Sequence, residues 1–276
     1  MNTELHPSTP LLPVGIQTFE NIRRSGFVYL GRVRLLTIFV SASFTYGVLY
    51  HEDGYICGVN SAAIILKIYH MSVAPWQERT QLLLGTEALK RLAEAHVLVA
   101  GLGGVGGIAA EMLARSGVGK LTLVDADRVH PSNINRQILA THATVGELKV
   151  EVAAHRLRDI NPNIEVHALP IYLQGEELDR LVSQPYHTII DAIDTITPKV
   201  HLIKTALLRG TPLISSMGAG AKYDPNAVRI GSFWQSNYCH LARTIRRRLR
   251  KLRIPELESH DFLAVYSTEL CDPAGF

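Results

Sequence analysis

The amino-acid sequence predicts an α/β protein with a doubly wound, mostly parallel sheet and flanking helices. Short aliphatic and β-branched runs, such as residues 96–100, alternate with longer amphipathic stretches. Strands separated by helical stretches of roughly 10–15 residues form βαβ units, so the strands are expected to lie parallel. A glycine-rich segment at residues 101–107 directly follows the first run, and this strand–loop–helix order makes the predicted fold Rossmann-like.

Each element follows from a local pattern in the sequence. Leucines recur at helical spacing through residues 77–95, and the helix that starts at Lys149 ends before Asn161 and Pro162. Buried parallel strands consist of near-continuous apolar runs, which identifies the strands. The pattern predicts helices over residues 77–95, 108–116, 149–160, 177–183 and 199–210, and strands over residues 96–100, 121–124, 164–168, 187–190 and 212–215.

Composition bounds the domain organisation. The chain has 276 residues, 47% hydrophobic and 19% charged, enough for one large α/β domain with an appendage. Residues 1–70 lack the α/β alternation, so they are expected to form an atypical, poorly defined leader outside the functional domain at residues 71–276. Three widely spaced cysteines, no secretory signal and an apolar stretch too short to span a membrane predict a cytoplasmic protein without membrane association.

The glycine-rich segment predicts a nucleotide site. Gly101, Gly103, Gly104 and Gly106 permit a tight turn in which backbone N–H groups and a helix N-terminus approach phosphates. Asp125 ends the second strand about twenty residues later, where a carboxylate accepts hydrogen bonds from ribose hydroxyl groups. Up to this point the pattern fits an NAD-dependent dehydrogenase and an ATP-binding enzyme equally well.

Polar residues further along the chain separate these two alternatives. Asn133 and Arg136 lie in one short polar segment, Lys149 starts a helix, and Asp194 follows a strand. Adenylation of a carboxylate needs cations near the α-phosphate and a carboxylate that holds Mg²⁺. Hydride transfer needs neither, so this set favours ATP-dependent adenylation over oxidoreduction.

These residues lie in sequence strings that resemble a known superfamily. The strings GLGGVGG, LVDADRVHPSNINRQ, GELKVE and IIDAIDT are similar to those of the ThiF-like superfamily, which contains ubiquitin-activating enzymes and molybdopterin and thiamine adenylyltransferases. Within it, DAIDTITPKV, the lead-in RTQLLLG and the string YSTE resemble the tRNA threonylcarbamoyladenosine dehydratase family. The resemblance covers residues 76–270, beyond which the family continues, so the domain is expected to be C-terminally truncated.

The resemblance implies roles for individual residues. The residues that would bind ATP are Gly101, Gly103, Gly104, Gly106, Asp125, Asp127, Asn133, Arg136 and Lys149. Arg136, Lys149, Asp194 and Arg79 would be catalytic, with Asp194 holding Mg²⁺. Arg79 matches an arginine that reaches into the partner subunit's site in relatives, which implies a homodimer.

The implied reaction is adenylation of the threonine carboxylate of threonylcarbamoyladenosine-37 in tRNA. Cyclisation then releases AMP, and a cysteine desulfurase or sulfur-acceptor protein is a further partner that the family suggests. Two alternatives remain open at this stage. One is adenylation of the C-terminus of a ubiquitin-like or sulfur-carrier protein, and the other is an inactive nucleotide-binding remnant.

Two further features have more than one interpretation. A basic run suits the phosphates of a folded RNA, although a solvated helix or a subunit contact also explains it. Cys239 precedes His240, so it is either an activated nucleophile or a structural thiol. The run consists of Arg243, Arg246, Arg247, Arg248, Arg250, Lys251 and Arg253.

Overall fold

The structure, a computed structural model, describes residues 73–270 in full and the backbone of four strands that precede them. These four strands form an antiparallel sheet in the order β1-β2-β3-β4. Their bounds are Phe27–Leu30 (β1), Val33–Ser41 (β2), Phe44–His51 (β3) and Gly54–Asn60 (β4). The chain divides into two compact units, residues 1–74 and 75–276.

The second unit contains a seven-stranded sheet in the order β10-β11-β9-β8-β5-β6-β7. Every neighbouring pair is parallel except β10 and β11, which are antiparallel. The strands are His96–Ala100 (β5), Lys120–Val124 (β6), Glu165–Leu169 (β7), Thr188–Asp191 (β8), Leu213–Ser216 (β9), Val228–Ser232 (β10) and Leu263–Ser267 (β11).

Helices cover both faces of this sheet and bury two hydrophobic clusters. One cluster includes Val99, Leu123 and Leu157, and the other includes Ile189 and Ile203. The predicted Rossmann-like α/β fold is therefore confirmed. The helices are Glu78–Leu84 (α1), Thr86–Glu94 (α2), Gly106–Ser116 (α3), Lys149–Ile160 (α4), Gly175–Val182 (α5), Ile196–Arg209 (α6), His240–Lys251 (α7) and Pro255–Ser259 (α8).

The topology creates a switch point between β5 and β8. From β5 the chain continues outward to β6 and β7 on one side, and later to β8 and β9 on the other. Open α/β sheets bind ligands at this point, outside the carboxyl ends of the strands. The loops after β5, β6 and β8 meet there, and these loops carry most of the residues that the sequence analysis selected.

Two details differ from the sequence-based prediction. The helix expected over residues 77–95 is divided at Gly85, whose φ of +81° ends α1 and precedes α2. Strands β10 and β11 were not predicted, because β11 gains its place through parallel pairing with the distant strand β9. Among the described residues, no helix is long and apolar enough to cross a membrane.

The division of the chain generates a prediction about independent folding. Deleting residues 1–70 is expected to leave a protein that unfolds cooperatively, because the second unit has its own sheet and two buried clusters. Urea unfolding followed by circular dichroism tests this, with the full chain as the control. A shortened protein without a cooperative transition would contradict it.

Candidate active site at the switch point

A cleft of about 450 Å³ lies at the carboxyl edge of the sheet. It is lined by the loops that follow β5, β6 and β8 and by the start of α4. The cleft brings a guanidinium, an ammonium and several carboxylates to one place beside the glycine loop. The sequence-predicted residues that line it are Gly101, Gly103, Asp125, Asp127, Asn133, Arg136, Lys149 and Asp194.

Close backbone packing explains why glycine occupies key positions of the loop. Gly101 has φ of +86°, and a Cβ atom there would lie 2.9 Å from the carbonyl oxygen of Ala192. A Cβ atom on Gly106 would lie 1.8 Å from the carbonyl oxygen of Gly101, closer than any atoms pack. Gly104 and Gly106 do not line the cleft. Gly106 therefore shapes the loop, whereas Gly101 and Gly103 border the open space.

Asp125 ties the end of β6 to the glycine loop. Its Oδ2 accepts a hydrogen bond from the backbone N–H of Leu102 at 2.7 Å, and its Oδ1 accepts one from the N–H of Asp127 at 2.8 Å. Burial raises the pKa of the Asp125 carboxyl above its ordinary value, and the two backbone donors oppose that shift. The carboxylate is thus fixed in orientation at the wall of the cleft.

The two cations reach the cleft in different ways. Lys149 is the first residue of α4 and is only 5% exposed, with Nζ 2.8 Å from Oδ2 of the exposed Asp127. Arg136 is exposed, and its Nη1 donates to the carbonyl oxygen of Ser132 and to Oδ1 of Asn135, both at 2.9 Å. Lys149 is therefore rigidly held, while the guanidinium of Arg136 lies at the rim with one edge anchored.

Two amides contribute to the same wall. Oδ1 of Asn133 accepts from the backbone N–H of His130 at 3.0 Å, which caps the short 3₁₀ helix Pro131–Asn133. Gln137 is only 8% exposed, and its Oε1 has no hydrogen-bond partner in the part of the chain that the structure describes. A buried amide oxygen without a partner is costly, so Gln137 is a further candidate for contact with a ligand, and it was not selected from the sequence.

Asp194 stands on a turn that a buried charge pair supports. The exposed carboxylate of Asp194 accepts from Oγ1 of Thr195 at 3.2 Å. Three residues earlier, at the end of β8, Asp191 is fully buried and lies 2.8 Å from Nζ of the fully buried Lys199. This charge contact is not an aligned hydrogen bond, although Oγ of Ser215 does donate to Asp191 at 2.6 Å.

Asp191 also accepts from the backbone N–H of Ile193 at 3.1 Å, so it holds the turn that carries Asp194. Neither Asp191 nor Lys199 was predicted from the sequence as a site residue. The string DAIDTITPKV contains both charges, but a lysine in a helix is usually solvated. Their separation by eight positions does not show that they meet.

The remaining sequence-predicted residues lie away from the cleft. Arg79 is exposed on α1 and does not line the cleft, so its expected role in a partner's site stays a prediction. Cys239 is buried and caps α7, where its Sγ accepts from the backbone N–H of Ala242 at 3.4 Å. These contacts favour the structural interpretation of this thiol. No cluster of three or more metal-ligating side chains occurs among the described residues.

Comparisons with known proteins agree with this geometry. The model of the ThiF family matches residues 77–240. The tRNA threonylcarbamoyladenosine dehydratase of Bacillus subtilis is 44% identical over 173 residues, covering 63% of this chain and 68% of that protein. The Escherichia coli dehydratase is 39% identical over 178 residues, covering 63% and 66%. The chain thus spans about two thirds of the length of these relatives.

A solved structure extends the similarity to three dimensions. The E. coli tRNA N6-threonylcarbamoyladenosine dehydratase, crystallised in complex with ATP, has a TM-score of 0.69 and 36% identity. The match covers 74% of this chain and 86% of that one.

The fold and the cleft together define a Rossmann-like α/β protein with a charged site at its switch point. With more than half of its residues matched, this chain belongs to the ThiF family. The resemblance to this family and to its tRNA threonylcarbamoyladenosine dehydratases, inferred from the sequence strings, is confirmed by these matches.

The buried pair makes a prediction about stability. Replacing Lys199 with Met leaves the Asp191 carboxylate buried without a counter-charge, which is expected to cost about 3–5 kcal/mol of unfolding free energy. The double variant Asp191→Asn/Lys199→Met removes both charges and should lose clearly less unfolding free energy than Lys199→Met alone. Urea unfolding measures both, with Lys204→Met on the same helix, at a partly exposed site, as the matched control. Equal losses for Lys199→Met and Lys204→Met would refute the argument.

Proposed function

We propose that this protein adenylates the threonine carboxylate of threonylcarbamoyladenosine-37 in tRNA at the expense of ATP, and that cyclisation then releases AMP. The observation that carries the proposal is that Arg136, Lys149 and Asp194 line one cleft beside the glycine loop. The names of the dehydratase relatives and the ATP complex of the E. coli protein support the choice of substrate and cofactor.

The residues that line the cleft suit the different parts of ATP. Ile171, Tyr172 and Leu173 line one side and offer apolar surface to an adenine base. In the proposed complex Asp125 accepts hydrogen bonds from the ribose, since its carboxylate is already oriented by two backbone donors. The phosphates lie against the glycine loop, where backbone N–H groups and the start of α3 favour negative charge.

The cations then stabilise the charge that develops at the α-phosphorus. The substrate carboxylate attacks this phosphorus, and pyrophosphate leaves on the opposite side. Lys149 is preorganised by its contact with Asp127, so little reorientation is needed when the phosphates arrive. Arg136 has guanidinium edges beyond its anchored Nη1 that suit bidentate contact with phosphate oxygens, and Asn133 adds an amide.

The donor set fits one hard divalent cation. The Asp194 carboxylate is exposed at the cleft, and in the described part of the chain it accepts one long hydrogen bond, from Thr195, while Asp125 and Asp127 are already engaged. Mg²⁺ is typically held by one or two carboxylates together with substrate phosphates, so Asp194 would hold it. When bound, the ion supplies positive charge to the phosphate oxygens.

Ring closure needs no thiol of the protein. Adenylation turns a hydroxide leaving group into AMP, and the carbamoyl group of the same modification then attacks the activated carbonyl. Closure within one molecule gains strongly from proximity. Cys239 is buried at the start of α7. Among the described residues, this protein therefore offers no accessible thiol to the proposed sulfur-acceptor partner. We also propose that the reaction takes place in the cytoplasm.

Exchange of pyrophosphate into ATP tests the proposed chemistry. Arg136→Ala and Asp194→Ala are each expected to reduce the exchange rate by about 100-fold or more. The first variant removes a cation that stabilises the charge of the transition state, and the second removes the carboxylate that would hold Mg²⁺. Arg209→Ala, an exposed arginine at the end of α6, should retain the wild-type rate. Full activity in either site variant would overturn the assignment of the site.

The substrate in the same assay separates the alternatives. Stimulation of exchange by tRNA that carries the threonylcarbamoyl group supports the proposal. Stimulation by a carrier protein alone would instead identify a carrier-protein adenylyltransferase. Tight ATP binding without exchange would identify an inactive remnant.

We further propose a homodimer in which Arg79 completes the partner's site. Leu82 and Leu83 on the same helix are 79% and 82% exposed, and Leu84 is 49% exposed. Such a run of exposed leucines is typical of a surface that another protein covers. Arg79 precedes these leucines on α1, a position from which it would reach across a twofold interface.

Mixing two inactive variants tests this arrangement. Arg79→Ala and Arg136→Ala should each be inactive alone, whereas equal mixtures should recover about a quarter of wild-type exchange, since half of the dimers carry one intact site. Mixing either variant with Leu82→Asp/Leu83→Asp, which is expected to be monomeric by light scattering, should give no recovery. Failure of the first mixture to recover would contradict a shared site.

A further inference from the structure

Helix α7 exposes a continuous basic face outside the cleft. It runs over His240–Lys251 and buries its apolar side, including Ile245 and Leu249, against the second hydrophobic cluster. The opposite side forms a shallow groove, and the described residues that line it are all cationic. We call this surface the basic groove; its residues are Arg243, Arg246, Arg247, Arg250, Lys251 and Arg253.

Two of these arginines hold the fold together. Nη1 of Arg246 donates to the carbonyl oxygen of Phe233 and to Oγ of Ser236, and its guanidinium lies 5.6 Å from the centre of the Phe233 ring. The guanidinium of Arg250 lies 5.7 Å from the centre of the Trp234 ring. These contacts explain the two residues without any ligand.

The other cations have no such explanation. Arg243, Arg247 and Lys251 are exposed and stand four positions apart, so they form one row along the helix that spans roughly 12 Å. Within the described residues no acidic group pairs with them. Like charges at this spacing destabilise a helix. A negatively charged partner bound along the row would offset this destabilisation.

Helix α7 contacts the start of α6, which borders the cleft. Arg248, also on α7, donates from Nη1 to Oγ1 of Thr197 at 3.4 Å. Thr197 is in the first turn of α6, directly before Pro198, which lines the cleft. A macromolecule held along α7 would therefore lie beside the start of α6, which borders the cleft.

We propose that the row of Arg243, Arg247 and Lys251 binds RNA backbone phosphates and so positions the substrate tRNA at the cleft. This inference rests on the proposed function. Guanidinium groups bind phosphate in a bidentate manner, and among residues 73–270 no apolar side chain lines the groove between the three cations. A protein interface would instead have an apolar or aromatic centre, which this row lacks.

Filter binding of an unmodified tRNA transcript at several salt concentrations tests the row. The triple variant Arg243→Ala/Arg247→Ala/Lys251→Ala is expected to weaken binding about tenfold or more and to lower the slope of log affinity against log salt by about 2 to 3. The matched control, Arg91→Ala/Arg158→Ala/Arg209→Ala, removes the same charge from exposed positions on other helices and should change affinity less than twofold. Arg247→Glu repeats the test with one change if the triple variant unfolds.

Wild-type affinity in the triple variant or in Arg247→Glu would overturn the inference. So would competition by polyglutamate as effective as competition by tRNA, because it would indicate an acidic protein partner. Pyrophosphate exchange separates this failure from failure of the proposed function. If wild type shows no exchange with modified tRNA while the triple variant still loses RNA binding, the chemistry is wrong and the RNA surface stands. If exchange occurs and the triple variant binds tRNA normally, only the surface is wrong.

Discussion

The contact between Asp191 and Lys199 is the constraint on which the site depends. Both side chains are fully buried, so neither charge is solvated and each requires the other. Burying an ion pair adds little to the free energy of unfolding, whereas removing one partner lowers that free energy strongly. The main effect of the pair is therefore to fix the local geometry. It joins the end of β8 to the second turn of α6, and through the N–H of Ile193 it fixes the turn that carries Asp194.

The glycine loop obeys a related constraint on the neighbouring strand. Gly101 packs against the backbone of Ala192, in the turn after β8, at a distance that excludes any side chain. Asp125 adds a link from β6 through the N–H of Leu102. The ends of β5, β6 and β8 are thereby tied to one another, and residues far apart in sequence keep fixed positions around one cleft. Such preorganisation is what electrostatic catalysis requires, because donors that are already in place need no reorientation as charge develops.

The sequence predicted the central part of this arrangement because its signals are local. Apolar runs identify β5 to β9, and a glycine loop between a strand and a helix identifies the switch point. The sequence places Asp194 after a strand, and open parallel sheets bind ligands at the carboxyl edge, where Arg136, Lys149 and Asp194 line one cleft. The rest depends on long-range contacts. Strand β11 is placed by pairing with β9, and the burial of Lys199 follows from packing that no local pattern reveals. Gln137 was not selected from the sequence, because the lack of a partner for its Oε1 among the described residues is visible only in three dimensions.

The distribution of charge connects the cleft with helix α7. The whole chain carries a formal charge of only +3, yet the basic groove alone contains six cations. Opposite charges elsewhere balance this excess, so the positive field is local and falls off within about 10 Å at moderate salt. A protein with a small net charge and a strong local positive charge attracts a polyanion to one face instead of to its whole surface. The cleft repeats this combination of charges at smaller scale. In the proposed ATP complex, Asp127 already holds the ammonium of Lys149 before the phosphates bind, and the guanidinium of Arg136 at the rim is free to contact them on its unanchored edges.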